Sequence, residues 1–464
     1  MKHYHFMGIG GIGMSGLAQV VMERGDTVSG CDLAPSELAY RLEARGAVVY
    51  RGHDPAHLEP QDRPKVDVLV TSTAVPVDHP EIVAAQAAGV RVIRRIELLG
   101  EMMLDTDSIG VVGTHGKTTT TSMIATILER AGMQPTAVVG GEVGDIGGNA
   151  KLGQGRAFIA EVDESDTLFQ RLRPKTAVIT NVDNDHVASP GEVRRNYHAS
   201  FEVLQDAFRK FASHASTVVY CADWPGLKEI VDQGARLVAY GTGPGVAFRA
   251  VDIETDGAKS EYTLFVHGER IGRVELQAPG MHNVLNSLGA LAAASEAGVT
   301  LEDAITALRA FRGAHRRWER VGSVNGAWII DDYAHHPTET EAILKTARAT
   351  GRRVRVVYQP HRYLRTAQLW QRTAQVLMQA DDVLLLDVYS AGEAEIPGIQ
   401  SSLILDRMRE LGHKSCRLFD GREAVIAALL GSAEANDVII TMGAGDVWKV
   451  GSELVAASEG VKKE

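Results

Sequence analysis

The 464-residue sequence is poor in cysteine and contains no long hydrophobic run. Its cysteines, Cys31, Cys221 and Cys416, lie far apart, whereas disulfide frameworks and cysteine zinc sites use more cysteines at close spacing. No stretch approaches the roughly 18 consecutive apolar residues of a membrane-spanning helix. The first eight residues also lack the apolar segment and cleavage site of a secretory signal. We therefore expect a cytoplasmic protein without membrane insertion.

Basic charge is also scarce. Lysine and arginine number 48 against 59 aspartate and glutamate residues, a formal net charge of −11. Because nucleic-acid binding needs a basic surface that neutralises phosphates, we expect no nucleic-acid partner. A small anionic ligand remains compatible, since a few basic groups and a helix N-terminus can hold one. Nothing in the sequence indicates an oligomeric state.

Short apolar strands alternate with helical segments along most of the chain, which is typical of βαβ units and parallel sheets. Residues 245–277 instead contain short alternating segments between turn residues, which predicts an antiparallel insertion. We predict an α/β protein of three domains. They are a Rossmann-like domain over 1–107, a central P-loop ATPase-like α/β domain with the insertion over 108–320, and a C-terminal Rossmann-like domain over 321–464.

Glycine is abundant, with 47 residues, and a first glycine motif lies near the N-terminus. Residues 8–13, Gly-Ile-Gly-Gly-Ile-Gly, follow a predicted strand and precede a predicted helix, and Asp32 ends the next strand. Glycines there let the backbone approach a diphosphate at a helix N-terminus. NAD and a UDP-sugar both carry a diphosphate, so the motif leaves both open, as well as a purely structural turn.

A second glycine motif, residues 113–118 (Gly-Thr-His-Gly-Lys-Thr), resembles a P-loop. Backbone N–H groups there would surround phosphate oxygens, Lys117 would supply positive charge, and the Thr118 hydroxyl would bind Mg²⁺. The spacing departs from the usual pattern, because Gly113 stands three residues before Gly116 and not five. A simple glycine-rich turn is the alternative. A lysine beside a helix N-terminus is electrostatically unfavourable unless an anion binds there, and ATP is the anion we expect.

Acidic clusters at residues 161–166 and 181–186 each follow a predicted strand. Carboxylates this dense repel one another unless they are solvated or bind a cation. Solvated loop acids are the alternative, but a P-loop on the same sheet favours a metal. Glu164 and His186 are the candidate Mg²⁺ ligands, although histidine is an uncommon ligand for so hard an ion.

Further candidate residues lie toward the C-terminus. Asn283 either caps a helix or reads an adenine edge. Arg316 and Arg317 are either a solvated charge pair or arginines that reach the γ-phosphate. Residues 331–339 place two acids and two histidines after a predicted strand, and Pro337 there suits a helix start. Residues 359–366 place two arginines and a histidine after the next strand, which suits a carboxylate or phosphate ligand. A chance surface cluster is the alternative for either segment, but both follow strands at a ligand-binding edge.

The order of these motifs resembles the Mur ligase family of bacterial cell-wall synthesis. The motifs that carry the resemblance are HFMGIGGIGMSGLA, GTHGKTTTT, EVDESD, NVDNDH, MHNVLNSLGA, DDYAHHPTE and QPHRYLRT, with DVYSAGEAEIPG and GAGD near the C-terminus. The resemblance implies ATP-dependent joining of L-alanine to the lactyl carboxylate of UDP-N-acetylmuramate through an acyl phosphate, with Mg²⁺ or Mn²⁺. Its partners would then be three small molecules: UDP-N-acetylmuramate, L-alanine and ATP.

The resemblance also assigns roles to residues. UDP-sugar binding is implied for Gly8, Gly10, Gly11, Ile12, Gly13, Asp32 and Ser72. ATP binding is implied for Gly113, Thr114, His115, Gly116, Lys117, Thr118, Thr119, Asn283 and Asp332. Metal binding is implied for Thr118, Glu164 and His186, and catalysis for Lys117, Glu164, His186, Arg316 and Arg317. Amino-acid or product binding is implied for Tyr333, His335, His361, Arg362 and Arg365.

Departures and alternatives remain at this stage. Ala334 stands where the family commonly has glycine. Some sister enzymes carry a carbamylated lysine, but this sequence has no lysine between His186 and Lys210, so we do not expect that modification. A family member that recycles a tripeptide onto the same sugar nucleotide is one alternative. A nicotinamide oxidoreductase would leave the P-loop unexplained, and a regulatory ATPase would leave the C-terminal clusters unexplained. The sequence does not distinguish L-alanine from serine or glycine as substrate.

Overall fold

The protein is described here by a computed structural model that covers residues 1–60, 63–188 and 197–461. Over these residues the fold is α/β, as predicted, and its strands form three sheets. The chain divides into two compact units. The first contains Met1–Asp252, Thr263–Val274 and Leu285–Phe311, and the second contains Ile253–Tyr262, Glu275–Val284 and the chain from Arg312 onward.

The N-terminal sheet is wholly parallel, with strand order β3-β2-β1-β4-β5. Its strands are β1 His3–Met7, β2 Thr27–Asp32, β3 Val48–Arg51, β4 Val68–Thr71 and β5 Arg91–Arg94. This is the Rossmann strand order without its sixth strand, and in such sheets ligands bind outside the carboxyl ends of the strands. The Rossmann-like prediction for this part of the chain is therefore confirmed.

The central sheet has the strand order β15-β14-β13-β12-β11-β10-β6-β9-β7-β8. Its strands are β6 Asp107–Val112, β7 Thr136–Val143, β8 Gly148–Lys151, β9 Ala157–Glu161, β10 Thr176–Ile179, β11 Thr217–Cys221, β12 Arg236–Gly241, β13 Phe248–Thr255, β14 Ser260–Val266 and β15 Glu269–Leu276. Strand β6 pairs in parallel with β9 on one side and β10 on the other, so the segments that follow these three strands share one edge. The predicted insertion is not separate from this sheet, because β13 continues it in parallel with β12.

The C-terminal sheet has the strand order β16-β17-β21-β18-β19-β20. Its strands are β16 Glu319–Val324, β17 Ala327–Asp332, β18 Arg353–Tyr358, β19 Asp382–Leu385, β20 Cys416–Leu418 and β21 Asp437–Met442. All pair in parallel except the edge strand β16, which runs antiparallel to β17. The predicted boundaries at 107/108 and 320/321 fall just inside β6 and β16.

The helices cover the faces of these sheets, and many begin at a recognisable cap. They are α1 Ile12–Glu23, α2 Glu37–Ala44, α3 Pro80–Ala87, α4 Arg95–Met103, α5 Lys117–Arg130, α6 Phe201–Ser213, α7 Leu227–Val231, α8 Met281–Glu296, α9 Leu301–Ala310, α10 Pro337–Ala349, α11 Tyr363–Leu377, α12 Ser402–Glu410, α13 Arg422–Leu430 and α14 Trp448–Val461. Helix α10 begins at Pro337 as predicted, because His336 accepts a hydrogen bond from the Thr338 amide and Glu339 completes a capping box. Within the described residues, no helix combines the length and apolarity needed to cross a membrane.

Candidate active site

The phosphate-loop motif connects β6 to α5, and its glycines are required by the geometry. Gly113 has a φ of +145° and Gly116 a φ of +81°. A Cβ atom at Gly113 would lie 2.1 Å from Thr180 Oγ1, and one at Gly116 would lie 2.4 Å from Asn286 Oδ1. Only glycine combines these dihedral angles with this close packing.

Residues at the end of β10 hold the loop in place. The His115 amide donates to Asn181 Oδ1 at 2.8 Å, and its carbonyl accepts from Thr180 Oγ1 at 2.7 Å and Asn181 Nδ2 at 2.8 Å. The His115 ring nitrogen Nε2 lies 3.0 Å from Asp183 Oδ2, and the Thr114 hydroxyl accepts from the Asp183 amide at 2.8 Å. The loop is therefore organised by the strand beside it before any ligand binds.

Lys117 is the first residue of α5, and its ammonium group folds back over the loop. Nζ lies 2.6 Å from the Gly113 carbonyl, 3.2 Å from the Thr114 carbonyl and 2.8 Å from Glu164 Oε2. Burial alone would lower the pKa of Lys117, but the Glu164 and Glu161 carboxylates outweigh it and raise the pKa. The lysine is thus held as a cation over the loop, with Thr119 buried in the helix behind it.

Glu164 is a buried carboxylate, with 1% of its side chain exposed. Burial raises its pKa to about 7, against the opposing effect of Lys117. Its neighbour Asp163 differs: desolvation opposes its ionisation, but Arg95, His186 and Lys117 together outweigh that effect and lower the pKa of Asp163 to about 2. The prediction that this acidic segment lies beside the phosphate loop is confirmed by the Lys117–Glu164 pair.

The Thr118 hydroxyl contacts Glu161, a residue that sequence reasoning passed over in favour of Glu164. Thr118 Oγ1 donates to Glu161 Oε1 at 3.1 Å, and the Gly140 amide donates to Glu161 Oε2 at 2.7 Å. Glu161 ends β9, next to β6, so the parallel pairing of these strands was the signal that could have found it. Hydroxyl and carboxylate oxygens are ligands that Mg²⁺ prefers, so this donor set fits the ion.

His186, the other predicted metal ligand, lies at the end of the segment after β10. Its backbone is in the left-handed region with a φ of +56°, and Nε2 lies 3.7 Å from Asp185 Oδ2. The positive charge available at His186 helps to lower the pKa of Asp163. His186 therefore belongs to the same charged edge as the acidic segment.

Asn286 and Asn283 lie in the first turns of α8. Asn286 Oδ1 accepts from Thr120 Oγ1 at 3.3 Å and packs against Gly116, so it is a contact of the phosphate loop that the sequence reading missed. Asn283 is the third residue of α8 and not its N-cap, and its amide Nδ2 donates to the Pro279 carbonyl at 2.8 Å. The capping interpretation of Asn283 is therefore wrong.

The first glycine motif connects β1 to α1, with Gly11 as N-cap and Ile12 as the first helical residue. Asp32 supports this loop, because its Oδ2 atom accepts from the Gly10 amide at 3.0 Å. Gly8 has a φ of +79°. A Cβ atom at Gly10 would lie 2.9 Å from Asp32 Oδ2, so this loop also requires glycine.

Two further residues lie at the same sheet edge. Ser72 follows β4, the neighbour of β1, and its hydroxyl accepts from the Ala74 amide at 3.3 Å. Arg95, which sequence reasoning missed, begins α4 directly after β5. Arg95 packs so closely on Gly13 that a Cβ atom added there would lie 2.6 Å from Arg95 Nη1. Arg95 Nη2 donates to Asp163 Oδ2 at 3.0 Å. Arg95 therefore links the first glycine motif to the acidic segment beside the phosphate loop.

In the second unit, the two adjacent arginines have different surroundings. The Arg316 guanidinium donates to Asp331 Oδ2 at 2.9 Å and to the carbonyls of Gly443 at 2.6 Å and Gly445 at 3.2 Å. Both guanidinium groups lie over the Tyr333 ring, Arg316 at 5.0 Å and Arg317 at 5.1 Å from its centroid. The predicted γ-phosphate contact of these arginines stays a prediction, but Arg316 could make it only by giving up these hydrogen bonds within the fold.

Asp332 ends β17 and is buried. Its oxygens accept from the Trp318 amide at 2.7 Å and the Ala334 amide at 2.8 Å. Burial raises the pKa of Asp332 to about 6, although Arg317 acts in the opposite direction. Asp332 thus fixes the backbone that carries Arg317 and Tyr333.

Two histidines and two arginines form a basic pocket at the carboxyl ends of β17 and β18. The His335 and His361 rings are 5.6 Å apart, and Arg365 Nη1 lies 3.3 Å from His361 Nδ1. Burial, His335 and the nearby arginines lower the pKa of His361 to about 2, so its ring is neutral. Arg362 has a φ of +69°, and its buried Nε atom has no hydrogen-bond partner within the described residues. This arrangement suits a carboxylate ligand.

Comparisons with known proteins cover almost the whole chain. The descriptions "Mur ligase family, catalytic domain", "Mur ligase middle domain" and "Mur ligase, glutamate ligase domain" match residues 3–106, 111–294 and 316–445. A curated relative from Deinococcus radiodurans, named UDP-N-acetylmuramate–L-alanine ligase, is 47% identical over 98% of this chain and 94% of its own length.

Solved structures agree with this result. The crystal structure of UDP-N-acetylmuramate-alanine ligase from Thermotoga maritima matches with a TM-score of 0.84 and 28% identity, over 99% of this chain and 100% of that one. A murein peptide ligase from Psychrobacter arcticus matches with a TM-score of 0.70 and 25% identity, over 99% of both chains. With the three domain matches and the 47% identity, these findings lead to one conclusion: the chain belongs to the Mur ligase family.

Proposed function

We propose that this protein is an ATP-dependent ligase that joins L-alanine to the lactyl carboxylate of UDP-N-acetylmuramate, forming a peptidoglycan precursor. The observation that carries the proposal is the phosphate loop with Lys117 paired to Glu164, in a chain 47% identical to a relative of that name. We place the reaction in the cytoplasm, where ATP and nucleotide sugars are made.

Each predicted domain has a task in this proposal. Residues 1–107 bind the UDP-sugar through the first glycine motif, Asp32 and Ser72. Residues 108–320 bind ATP through the phosphate loop and Asn283. Residues 321–464 bind the amino acid and product through Tyr333 and the basic pocket, with Asp332 contributing to the nucleoside site. The presence of glycine where each loop approaches its neighbours supports the two phosphate-binding assignments.

In the first chemical step, a lactyl carboxylate oxygen attacks the γ-phosphorus of ATP, and the bond from that phosphorus to the ADP oxygen breaks. Lys117 exchanges its contacts with the loop carbonyls and Glu164 for phosphate oxygens, which carry more concentrated negative charge. In the second step, the α-amine of L-alanine attacks the acyl carbon, loses a proton, and expels phosphate. Because charge repulsion between the anionic substrates is the main barrier, positioning and cations supply most of the catalysis.

Thr118, Glu161, Glu164 and His186 are the residues that would hold a divalent cation at this edge of the sheet. Mg²⁺ or Mn²⁺ bound there would offset negative charge between the ATP phosphates and the attacking carboxylate. The Glu164 carboxylate is already desolvated, and its pKa of about 7 allows it to be ionised when a cation is near.

Arg317 is the better candidate for the arginine that acts on the phosphoryl group, since Arg316 is held by Asp331 and two backbone carbonyls. Arg362 and Arg365 are the candidates for the carboxylate of the amino acid. The neutral ring of His361 supports this assignment, because its Nδ1 can accept a hydrogen bond from Arg365 and orient that guanidinium.

Phosphate release in the presence of ATP tests the proposal, with each substrate omitted in turn. We expect release to require both UDP-N-acetylmuramate and L-alanine, with the amide product detected by mass spectrometry. ATP turnover that ignores the sugar nucleotide would contradict the proposal. Competition among L-alanine, serine, glycine and a cell-wall tripeptide at fixed ATP identifies the amino substrate, and preference for the tripeptide would favour a recycling ligase.

A further inference from the structure

A second cluster of ligand-type side chains lies within the N-terminal sheet, outside the site described above. It consists of His5 on β1, Cys31 on β2, His57 in a short helical turn over Pro55–Leu58, and Glu81 on α3. The side chains of His5 and Glu81 are fully buried, and that of His57 is 13% exposed. We call these four residues the His–Cys–Glu cluster.

The ligand atoms of the cluster are spaced as around a single ion. Glu81 Oε1 lies 3.2 Å from His5 Nε2, 3.2 Å from His57 Nδ1 and 3.7 Å from Cys31 Sγ. All four ligand atoms lie within 4.8 Å of one another. A tetrahedral zinc site with bonds of about 2.0–2.3 Å has ligand-to-ligand distances of about 3.3–3.7 Å. The observed spacings are close to these values.

The charge balance of the cluster calls for a cation. Glu81 is buried, and its ion-pair partners in the described part of the chain are the histidines His5, His53 and His57. A buried carboxylate is costly in a protein interior unless a cation lies beside it. A divalent ion bound to one thiolate, one carboxylate and two neutral imidazoles leaves no net charge.

His5 is oriented for ligation by its neighbours. Its Nδ1 atom lies 2.8 Å from Ser29 Oγ, which also lies 2.8 Å from His3 Nε2. The other ring nitrogen, Nε2, is buried and faces Glu81 without a hydrogen bond of good geometry to any described residue. Metal-binding histidines characteristically have one nitrogen fixed by such a partner while the other binds the ion.

We propose that His5, Cys31, His57 and Glu81 bind a structural divalent transition-metal ion, with Zn²⁺ as the best fit. Two imidazoles, a thiolate and a carboxylate form a mixed nitrogen, sulfur and oxygen set that suits zinc and not Mg²⁺. Binding releases the Cys31 thiol proton to solvent. Four protein ligands fill a tetrahedral site, so the ion stabilises structure and takes no part in the ligation reaction.

The site also supports the first glycine motif. The Cys31 carbonyl accepts from the amides of Gly8 at 2.7 Å and Ile9 at 3.2 Å. An ion that fixes Cys31 to β1, α3 and the turn at Pro55–Leu58 therefore also fixes the start of the glycine loop. His53 lies at the edge of the cluster, with Nδ1 3.0 Å from Cys31 Sγ, and its side chain is 17% exposed.

The test measures the metal directly on the full chain, purified without metal-affinity resin and then dialysed against Zn²⁺. We expect about one zinc per chain and a higher midpoint of thermal unfolding than in the chelated protein. With Co²⁺ in place of zinc, the thiolate produces a charge-transfer band in the near ultraviolet.

Cys31→Ser removes that band, and His57→Gln weakens Zn²⁺ binding by about tenfold or more. Cys416→Ser, a buried cysteine in the other unit, serves as the control and retains both properties. Because His57 is partly exposed, its glutamine variant tests binding without opening the core. The proposal is overturned if the dialysed wild-type chain holds no stoichiometric zinc, or if Cys31→Ser and His57→Gln bind as the control does. Neither result bears on ligase activity.

Discussion

Lys117 Nζ lies 2.8 Å from Glu164 Oε2, and 47 residues of sequence separate the two groups. The lysine comes from the loop after β6, and the carboxylate from the segment after β9, the neighbouring parallel strand. Glu164 helps to keep Lys117 protonated, and Lys117 opposes the rise in the pKa of Glu164 that burial causes. The pair therefore connects the phosphate loop to the acidic segment, and an incoming phosphate must compete with Glu164 for the same ammonium group.

Replacing Lys117 with alanine tests this relationship. We expect Lys117→Ala to lower kcat by at least about 10²–10³-fold, because one preorganised cation at the reacting phosphate is lost. UDP-N-acetylmuramate, bound at the first glycine motif, should retain its affinity in calorimetric titration. Loss of that affinity would contradict the separate assignment of the two loops.

The same variant has a predicted stability defect. It leaves the buried Glu164 carboxyl without its cation, so the pKa of Glu164 rises above about 7, and the cost of about 3 kcal/mol of unfolding free energy appears at alkaline pH, where the carboxylate is ionised. Adding Glu164→Gln should restore most of that stability and none of the activity. If the double variant is no more stable than Lys117→Ala, the two groups do not stabilise each other in the way described.

Arg316 and Arg317 provide a matched pair of substitutions. Arg316→Ala removes hydrogen bonds to Asp331 and to two carbonyls, so we expect a lower unfolding temperature. Arg317→Ala removes a guanidinium that stacks on Tyr333, and we expect a loss of kcat with a near wild-type unfolding temperature. Melting curves and steady-state kinetics on both variants check the assignment, and the reverse pattern would exchange the two roles.

Arg365 should affect the amino acid more than the nucleotides. Its Nη1 atom lies 3.3 Å from His361 Nδ1 in the basic pocket, so Arg365→Ala should chiefly raise the KM for L-alanine. Arg372→Ala is the control, because Arg372 is exposed on the same helix, α11. An unchanged L-alanine KM in Arg365→Ala would remove that residue from amino-acid binding.

His282 in α8 predicts a pH dependence of stability. Burial, with a smaller effect of Arg317, lowers its pKa from 6.5 to about 4. The folded protein then binds fewer protons than the unfolded chain, so this contribution is intact above pH 6.5 and is lost as the pH falls toward 4. Between pH 7.5 and pH 5, wild type should lose about 1–2 kcal/mol more unfolding free energy than His282→Gln. Equal losses in chemical unfolding would show that His282 titrates normally.

The main strands of the fold could be predicted because they are buried on both faces and read as short apolar runs, as in β6 and β18. Edge strands were harder. The short β8 has no such run, and β3 was not predicted although its first three residues are apolar, since it is only half-buried. The insertion at 245–277 was recognised as strands, but local sequence does not reveal that β13 extends the parallel central sheet.

The candidate site, like the fold, could be predicted from the sequence only in part. Lys117 and the acidic segment could be placed together because the carboxyl ends of parallel strands meet at one edge. Which carboxylate meets which donor depends on strand order and side-chain direction, so the contact of Glu161 with Thr118 was not predicted. Arg95 and the His–Cys–Glu cluster were missed for the same reason, since their partners are far apart in sequence.

The fate of the carboxylate oxygen tests the central claim most directly. UDP-N-acetylmuramate labelled with oxygen-18 in its lactyl carboxylate is incubated with ATP and L-alanine, and the released phosphate is analysed by mass spectrometry. An acyl phosphate intermediate predicts that one labelled oxygen enters each phosphate released, in equal amount to the amide product. Amide formation with unlabelled phosphate would contradict the proposed reaction path, and phosphate release without amide would contradict the ligase itself.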